Sequence, residues 1–233
     1  MDIHSRLQQI EQLYILYDRF MRPYPWACQA GCDTCCTSNV WITTIEGIWI
    51  LENLTQEDKQ ILIGHIDHRS DPDRFRPQLT TNDIAGRCAR GESLPDEAIA
   101  VAGKPCPVLT DRHCSIYALR PFGCRCMVSN SRCSTTGQAE MDELIISAGT
   151  LMMQIIEHID AGGYSGNFAD ILACLHHGNI QKPSEIPSAQ VLTYNLIANH
   201  PAAALMIPPA QRAKLQPLLI QIQRVLNPVP TDR

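Results

Sequence analysis

Residues 28–36 read CQAGCDTCC, so four cysteines stand within nine positions and the last two, Cys35 and Cys36, are adjacent. A second group begins about 70 positions later and contains Cys106, Cys114, Cys124, Cys126 and Cys133. Nine of the eleven cysteines therefore lie in these two groups, which we call the first and second cysteine bursts. For the bursts to act at one site, the fold must bring them together.

The composition is that of an ordinary globular protein. The chain has 233 residues, of which 45% are hydrophobic and 18% charged, enough to bury a substantial core. Its net charge of −5 and low aromatic content give no reason to expect nucleic acid as a partner. No stretch approaches the roughly 18 apolar residues of a membrane span, and the N-terminus lacks the pattern of a signal peptide. We therefore expect a cytoplasmic protein with no membrane partner.

A cytoplasmic location bears on the chemistry of the cysteines. Disulfide frameworks are typical of small secreted chains with an even number of cysteines, whereas this chain is long and its count of 11 is odd. In a reducing compartment, clustered cysteines are more often metal ligands or catalytic thiols. The sequence thus favours a metal site or a thiol redox site over a disulfide scaffold.

Helical patterns surround the bursts. Apolar residues at three- and four-residue steps predict an amphipathic helix within residues 1–20. Thr43 and Glu46 have the spacing of a capping box, which predicts a helix over about 44–54. Thr55 is the predicted cap of a further helix. The proline, glycine and charge in residues 72–105 predict mostly loop, with room for one short helix.

The later part of the chain is also helical in pattern. Apolar residues at helical spacing predict one helix over 139–159 and a shorter one over 168–177, which Gly178 closes. A last helix is predicted from Pro209 onward, and Pro217 is expected to kink or split it. No alternation of strands and helices predicts a parallel sheet.

These patterns predict a mainly α fold, in which a helical domain encloses a loop-built, cysteine-rich metal centre. Residues 1–135 are expected to hold the N-terminal helix and the cysteine-cluster region. Residues 136–233 are expected to form a C-terminal helical region that packs on the same domain.

The cysteine spacing suits ligation of metal by sulfur. Thiolates must converge on a metal at about 2.3 Å, and Gly31 can take the positive φ that a tight turn before Cys32 needs. Neighbouring side chains in extended backbone point to opposite faces, so Cys35 and Cys36 suit two metals, or two irons of one cluster, better than one tetrahedral ion. Nine clustered thiols also exceed the four of a single structural zinc.

The donor set and its surroundings narrow the choice of metal. Sulfur donors favour iron–sulfur or zinc over copper(II), nickel, calcium or magnesium. His113 is the one histidine inside the bursts, and a lone histidine is more often an exposed or packed residue than a ligand. The second burst is locally basic, since Asp111 faces Lys104, Arg112, Arg120, Arg125 and Arg132. These cations either offset thiolate charge or form an ordinary solvated surface, and both interpretations stay open.

The spacing of Cys28, Cys32 and Cys35, C-x3-C-x2-C, resembles that of radical S-adenosylmethionine enzymes. The rest of the chain departs from that family. No strand–helix alternation predicts the expected barrel, no glycine-rich methionine-binding segment follows, and Thr34 replaces the usual aromatic residue. We therefore do not assign the chain to these enzymes.

Both bursts together resemble the two signatures of the YkgJ-like cysteine-cluster family, a CxxCxxCC type described as zinc- or iron-chelating. The first signature, C-x2-3-C-x2-C-C, is matched by Cys28, Cys32, Cys35 and Cys36. The second, CP-x-L followed by C-x-IY-x-x-RP-x-x-CR, is matched by Cys106, Pro107, Leu109, Cys114, Ile116, Tyr117, Arg120, Pro121, Cys124 and Arg125. Cys133 resembles a further cysteine of some members.

The resemblance covers roughly residues 26–133 and implies a metal or cluster centre. Its implied ligands are Cys28, Cys32, Cys35, Cys36, Cys106, Cys114, Cys124 and Cys133. Members are often labelled iron–sulfur oxidoreductases without a stated substrate. Cys126 lies outside the pattern, Cys88 is expected to be exposed with its role as a ligand open, and Cys174 is expected to be an inert core thiol.

We therefore expect a metal-binding protein that holds an iron–sulfur or multinuclear iron centre and has an unidentified redox or protein partner. One alternative is a structural zinc protein whose helices bind a partner. Another is a metal-free thiol redox switch that uses Cys35 and Cys36, or Cys124 and Cys126. The sequence contains no flavin or nicotinamide fingerprint, triad spacing or carboxylate pair, so no catalytic residue is predicted and the question of enzymatic activity stays open.

Overall fold

The computed structural model describes residues 2–29, 31–69, 73–96 and 103–228. In chain order these form α1 (Ile3–Met21), β1 (Trp41–Thr43), α2 (Thr44–Glu52), α3 (Gln56–Arg69), α4 (Thr81–Ala89), β2 (Leu109–Thr110), β3 (His113–Cys114), α5 (Phe122–Arg125), α6 (Cys133–Thr136), α7 (Glu143–Ile159), β4 (Tyr164–Asn167), α8 (Phe168–His177), α9 (Ser188–Thr193), β5 (Ile197–Ala198) and α10 (Arg212–Leu226). The prediction of a mainly helical fold is confirmed. None of the helices in these ranges is both long and apolar enough to cross a bilayer.

The predicted helix starts are confirmed by their caps. Thr43 Oγ1 accepts from the backbone N–H of Glu46, and Glu46 Oε2 accepts from the backbone N–H of Thr43 at 2.9 Å. Thr55 Oγ1 accepts from the N–H of Asp58 at 3.1 Å at the start of α3. A second capping box, at Thr80, starts α4, the one helix within 73–96. The remainder of the predicted 72–105 loop includes residue 72 and residues 97–102, which lie outside the described residues.

A small antiparallel sheet, which the sequence patterns do not predict, joins the two parts of the chain. Its strand order is β1-β4-β5. Ile42 of β1 lies opposite Gly166 of β4, and Ser165 of β4 lies opposite Ile197 of β5. Because β1 leads directly into α2 and β4 leads directly into α8, the sheet fixes these two helices side by side.

One hydrophobic core receives side chains from both parts of the chain. Residues 1–135 contribute mainly α1 and α2, and residues 136–233 contribute α7, α8 and α10. Ile10 and Leu13 of α1 and Leu151 of α7 have no exposed surface. Full burial of a side chain of this size stabilises a fold by about 1.5–3 kcal/mol. The C-terminal helices therefore complete the same core as the N-terminal helix.

Pro217, which was expected to kink or split the last helix, does not split it. Helix α10 continues from Arg212 through Pro217 to Leu226. Leu215 and Leu218, on either side of the proline, are buried in the core together with Ile222. This packing keeps both sides of the proline helical despite the backbone hydrogen bond that proline cannot donate.

Candidate metal centre

The fold brings the two cysteine bursts together. The N–H of Cys106 donates to the carbonyl of Cys36 at 3.0 Å, and the N–H of Ser38 donates to the carbonyl of Lys104 at 2.7 Å. A second connection joins the residue before the first burst to the second burst, where the N–H of Ala27 donates to the carbonyl of Ser129 at 2.9 Å. The bursts are therefore held in one place by backbone hydrogen bonds, as their joint action requires.

Two tight turns shape the first burst. The N–H of Cys32 donates to the carbonyl of Gln29, and the N–H of Cys36 donates to that of Asp33. Gly31 lies between them with φ of +79°, which confirms the predicted positive φ. Cys28, Cys32 and Cys35 are exposed on this loop, whereas Cys36 is half-buried.

A β-hairpin carries Cys114. Strands β2 and β3 pair Leu109 with Cys114, and the two turn residues, Asp111 and Arg112, both have positive φ, at 50° and 65°. Positive φ at both central positions is the geometry of a type I′ turn, which matches the twist of a hairpin. Arg112 also forms an ion pair with Asp33 at 3.4 Å, which ties the hairpin to the first burst.

Glu46 positions the short helix that carries Cys124, a role the sequence patterns do not reveal. Its buried carboxylate accepts from the N–H of Phe122 at 2.8 Å and from the hydroxyl of Tyr14 at 2.6 Å. The Phe122 ring packs edge-on against that of Tyr17, with centroids 4.7 Å apart. The start of α5 is therefore fixed to α1 and α2, and Cys124 follows two residues later.

The arginines of the second burst hold the loop. Arg125 donates from Nε to the carbonyl of Arg120 at 2.9 Å and from Nη2 to that of Ala118 at 2.8 Å, and it forms an ion pair with Asp18. These contacts fix the guanidinium of Arg125 to two backbone carbonyls and one carboxylate. The guanidinium of Arg120 lies 4.1 Å from the centroid of the exposed Tyr117 ring. Tyr117 is therefore a surface residue and not part of the core.

The adjacent thiols of Cys35 and Cys36 shift each other's pKa in opposite directions. The hydrogen bond from the Cys36 thiol lowers the pKa of Cys35 to about 6, and the nearby positive charge of Arg120 lowers it further. The same hydrogen bond raises the pKa of Cys36. At neutral pH, Cys35 is thus a thiolate and Cys36 its thiol donor, a state that suits attack on electrophiles and metal binding.

The pKa values of Cys28, Cys106 and Cys124 are raised, chiefly because the fold removes these thiols from water. Burial raises the pKa of Cys106 to about 11, with a further contribution from Cys114. Burial also raises the pKa of Cys124, and the charges of Cys106 and Cys114 add to the increase. On the opposite side of the doublet, the pKa of Cys28 is raised by burial and by Cys32, Cys35 and Cys133. Neighbouring thiols therefore repel one another when they ionise.

An open cleft of about 440 Å³ borders the first burst. Cys28, Cys32 and Cys133 line it, together with the exposed hairpin residues Arg112 and His113. His113 Nδ1 lies 2.7 Å from the carbonyl of Asp111, so this ring nitrogen is engaged within the hairpin turn.

Three cysteines are not among the eight expected ligands. Cys88 and Cys174 lie apart from both bursts, and Cys126 lies in the second burst but outside the family signature. Cys174 is fully buried in α8, as expected for a core thiol, and Cys88 is exposed at the end of α4, as also expected. Cys126, the member of the second burst that is not an expected ligand, is half-buried, and its sulfur donates to the carbonyl of Gly123 at 3.3 Å.

The thiols are neighbours but do not yet converge on a point. Among the residues that the structure describes, no group of three or more Cys, His, Asp or Glu side chains is arranged so that it could hold a metal ion. Binding of a metal here requires the thiol side chains to turn toward a common centre. The donors nevertheless suit a thiophilic cation. Burial raises the pKa of Cys124, the charges of Cys106 and Cys114 add to the increase, and a bound cation would offset both effects.

The sheets of the described residues pair in antiparallel fashion, which differs from the parallel barrel of radical S-adenosylmethionine enzymes. Comparison with known proteins adds no assignment. No protein family matches the chain, and no curated protein and no solved structure matches it.

Proposed function

We propose that this protein binds metal through its clustered cysteines, and that the metal is iron in an iron–sulfur or multinuclear centre. The proposed ligands are Cys28, Cys32, Cys35, Cys36, Cys106, Cys114, Cys124 and Cys133. One observation carries the proposal: backbone hydrogen bonds hold two cysteine bursts together that lie about 70 residues apart in the chain. The resemblance of both bursts to YkgJ-like signatures supports the same assignment.

The doublet favours iron over a single zinc. The Cys35 and Cys36 sulfurs are hydrogen-bonded, and the charge of Cys35 acts on Cys28 as well as on Cys124. A sulfur between two groups of thiols suits a multinuclear centre, in which metals are close neighbours. Zinc is the second candidate, because eight thiols equal two sets of the four that a structural zinc takes.

A bound iron–sulfur or iron centre supplies electron transfer or a Lewis-acid site. Several residues of this chain fix the backbone around the proposed ligands. Arg125 fixes the carbonyls of Ala118 and Arg120, and Glu46 fixes the backbone of Phe122, so the segment before Cys124 has little freedom to move. The positive charge of Arg120 favours the thiolate form of Cys35 and of Cys114. Such surrounding contacts tune both the affinity and the potential of a metal site.

The test is purification of the full chain without oxygen, followed by an absorption spectrum and analysis for iron, zinc and acid-labile sulfide. We expect a brown sample that absorbs at about 400 nm and contains iron, because sulfur-to-iron charge transfer gives these centres their colour. A colourless protein that contains zinc would show that the metal is zinc, the second candidate, and not iron.

A colourless, folded and metal-free protein would overturn the proposal. The thiols themselves would then be the functional groups, and Cys35, with its pKa of about 6, would be the first to test as a redox-active thiolate. Reaction of Cys35 with iodoacetamide at pH 7, located by mass spectrometry, would measure that reactivity.

A further inference from the structure

The eight proposed ligands divide into two sets by their place in the fold. Cys28, Cys32 and Cys133 line the open cleft, and none of the other five belongs to its lining. Cys28 and Cys32 are exposed. These three side chains therefore border the cleft, Cys133 as a half-buried residue, and Cys35 is exposed on the same loop as Cys28 and Cys32.

The other four lie on the core side of the loops. Cys106 and Cys114 pack against the hydrophobic core, and Cys124 follows the buried Phe122 in α5. Cys36 is half-buried, and its backbone carbonyl accepts from the N–H of Cys106.

We infer that the cysteines form two distinct metal centres that touch at the Cys35–Cys36 doublet. The outer centre consists of Cys28, Cys32, Cys35 and Cys133 and faces the cleft. The inner centre consists of Cys36, Cys106, Cys114 and Cys124 and lies against the core. This inference rests on the proposed function, because it concerns how the eight proposed ligands are divided between two metal centres.

The arrangement predicts different chemistry at the two centres. Its contact with the core shields the inner centre from water and chelators, so it serves as the stable, structural member of the pair. The outer centre opens on a cleft that Arg112 and Arg132 line with positive charge. Small ligands and oxidants reach the outer metal first.

The test follows loss of metal from the full chain as purified without oxygen, whichever metal it contains. The chelator is 4-(2-pyridylazo)resorcinol, which binds both iron and zinc, and elemental analysis gives the metal per chain. We expect two phases of release that differ in rate by on the order of tenfold or more, because solvent access differs between the centres.

Variants assign the phases. Cys32→Ser is expected to lose the metal of the fast phase and keep that of the slow phase, because its serine sits in the cleft away from the core. Cys114→Ser is expected to lose the slow phase. Cys174→Ser, a buried thiol outside both sets, is the control and is expected to retain both phases.

The outcomes separate the two proposals. Release of all metal in a single phase, or complete loss of metal in Cys32→Ser with unchanged far-UV circular dichroism, would show one shared centre and overturn this inference while leaving metal binding intact. A wild-type chain purified without metal would overturn the proposed function itself. The kinetics of the wild-type protein decide the question even if Cys114→Ser does not fold.

Discussion

Asp160 is a buried carboxyl that joins the end of α7 to the start of α2. Its Oδ2 accepts from Thr44 Oγ1 at 2.6 Å and from Asn199 Nδ2 at 2.9 Å, whereas Oδ1 has no hydrogen-bond partner among the described residues. Burial raises its pKa to about 7 from the ordinary 3.8. Because the folded pKa exceeds the unfolded one, the stabilisation from this proton is fully present below about pH 4 and is lost as the pH rises through 7.

We therefore predict that Asp160→Asn weakens the dependence of stability on pH. Between pH 4 and 8 the free energy of unfolding of the wild type should fall, relative to that of the variant, by on the order of a few kcal/mol. Urea unfolding at several pH values measures this. The control is Asp142→Asn, at an exposed position. Parallel wild-type and Asp160→Asn profiles would contradict the assignment of the titration to Asp160.

The Glu46 carboxylate accepts hydrogen bonds from residues of several elements. Its Oε2 accepts from the N–H and hydroxyl of Thr43, and its Oε1 accepts from Tyr14 and Phe122. A glutamine must present an NH₂ group to one of these donor pairs. Each buried donor left without an acceptor costs about 1–3 kcal/mol.

Glu46→Gln is accordingly expected to destabilise the fold by roughly 2 kcal/mol or more and to speed metal loss from the inner centre. Chemical unfolding and the chelator assay measure the two effects. Glu57→Gln, at an exposed position in the first turn of α3, is the matched control and should change neither quantity noticeably. Normal stability in Glu46→Gln would show that the carboxylate is not the shared acceptor.

At the scale of elements, α10 carries an internal proline on its exposed side. Pro217 cannot donate the backbone hydrogen bond of a helix, yet Leu215 and Leu218 hold the helix on the core. We predict that Pro217→Ala stabilises the protein by about 1–2 kcal/mol. This gain is smaller than the difference in helix propensity between proline and alanine, because alanine also increases the conformational entropy of the unfolded chain. Thermal unfolding measures the gain, and Gln216→Ala is the neighbouring exposed control. A loss of stability would indicate that the helix needs the proline.

The sequence predicts the helices whose start signals lie within a few residues, but not the strands that pair across the chain. Thr43 and Glu46 lie three positions apart, so the start of α2 could be predicted from their spacing alone. The pairing of β1 with β4 joins residues such as Ile42 and Gly166, and these strands of three and four residues are too short for a periodic pattern. The hairpin turn at Asp111 and Arg112 lacks the Asn-Gly signal of a type I′ turn.

The same limit applies to the candidate site. The grouping of cysteines in the sequence predicts which thiols must meet, and the backbone connection between Cys36 and Cys106 agrees with it. Their division between the cleft and the core depends on burial, which the spacing does not encode. The contact of Glu46 with Phe122 spans 76 positions and therefore leaves no local pattern.

At the scale of the whole molecule, the first cysteine burst lies outside the hydrophobic core, whereas the segment of the second burst contributes Val108, Ile116 and Phe122 to it. The core is built mainly from α1, α2, α7, α8 and α10, and the exposed cysteines of the first burst take no part in it. We predict that removal of metal leaves these helices folded and loosens the loops. Hydrogen exchange with and without chelator should lose protection in residues 27–38 and 104–133, with protection of α7 and α8 unchanged. Loss of protection throughout the chain would show that metal and core fold as one unit.

The backbone connection between the bursts also sets an order of assembly. The contact of Cys36 with Cys106 closes a loop of about 70 residues, and the contact of Ala27 with Ser129 lies outside it. Once the first contact forms, the second closes only the short segments that remain, so its entropic cost is lower. A chain emerging from the ribosome therefore completes the four inner thiols at Cys124 and the outer four at Cys133. Under the two-centre proposal, the inner centre would bind metal before the outer one.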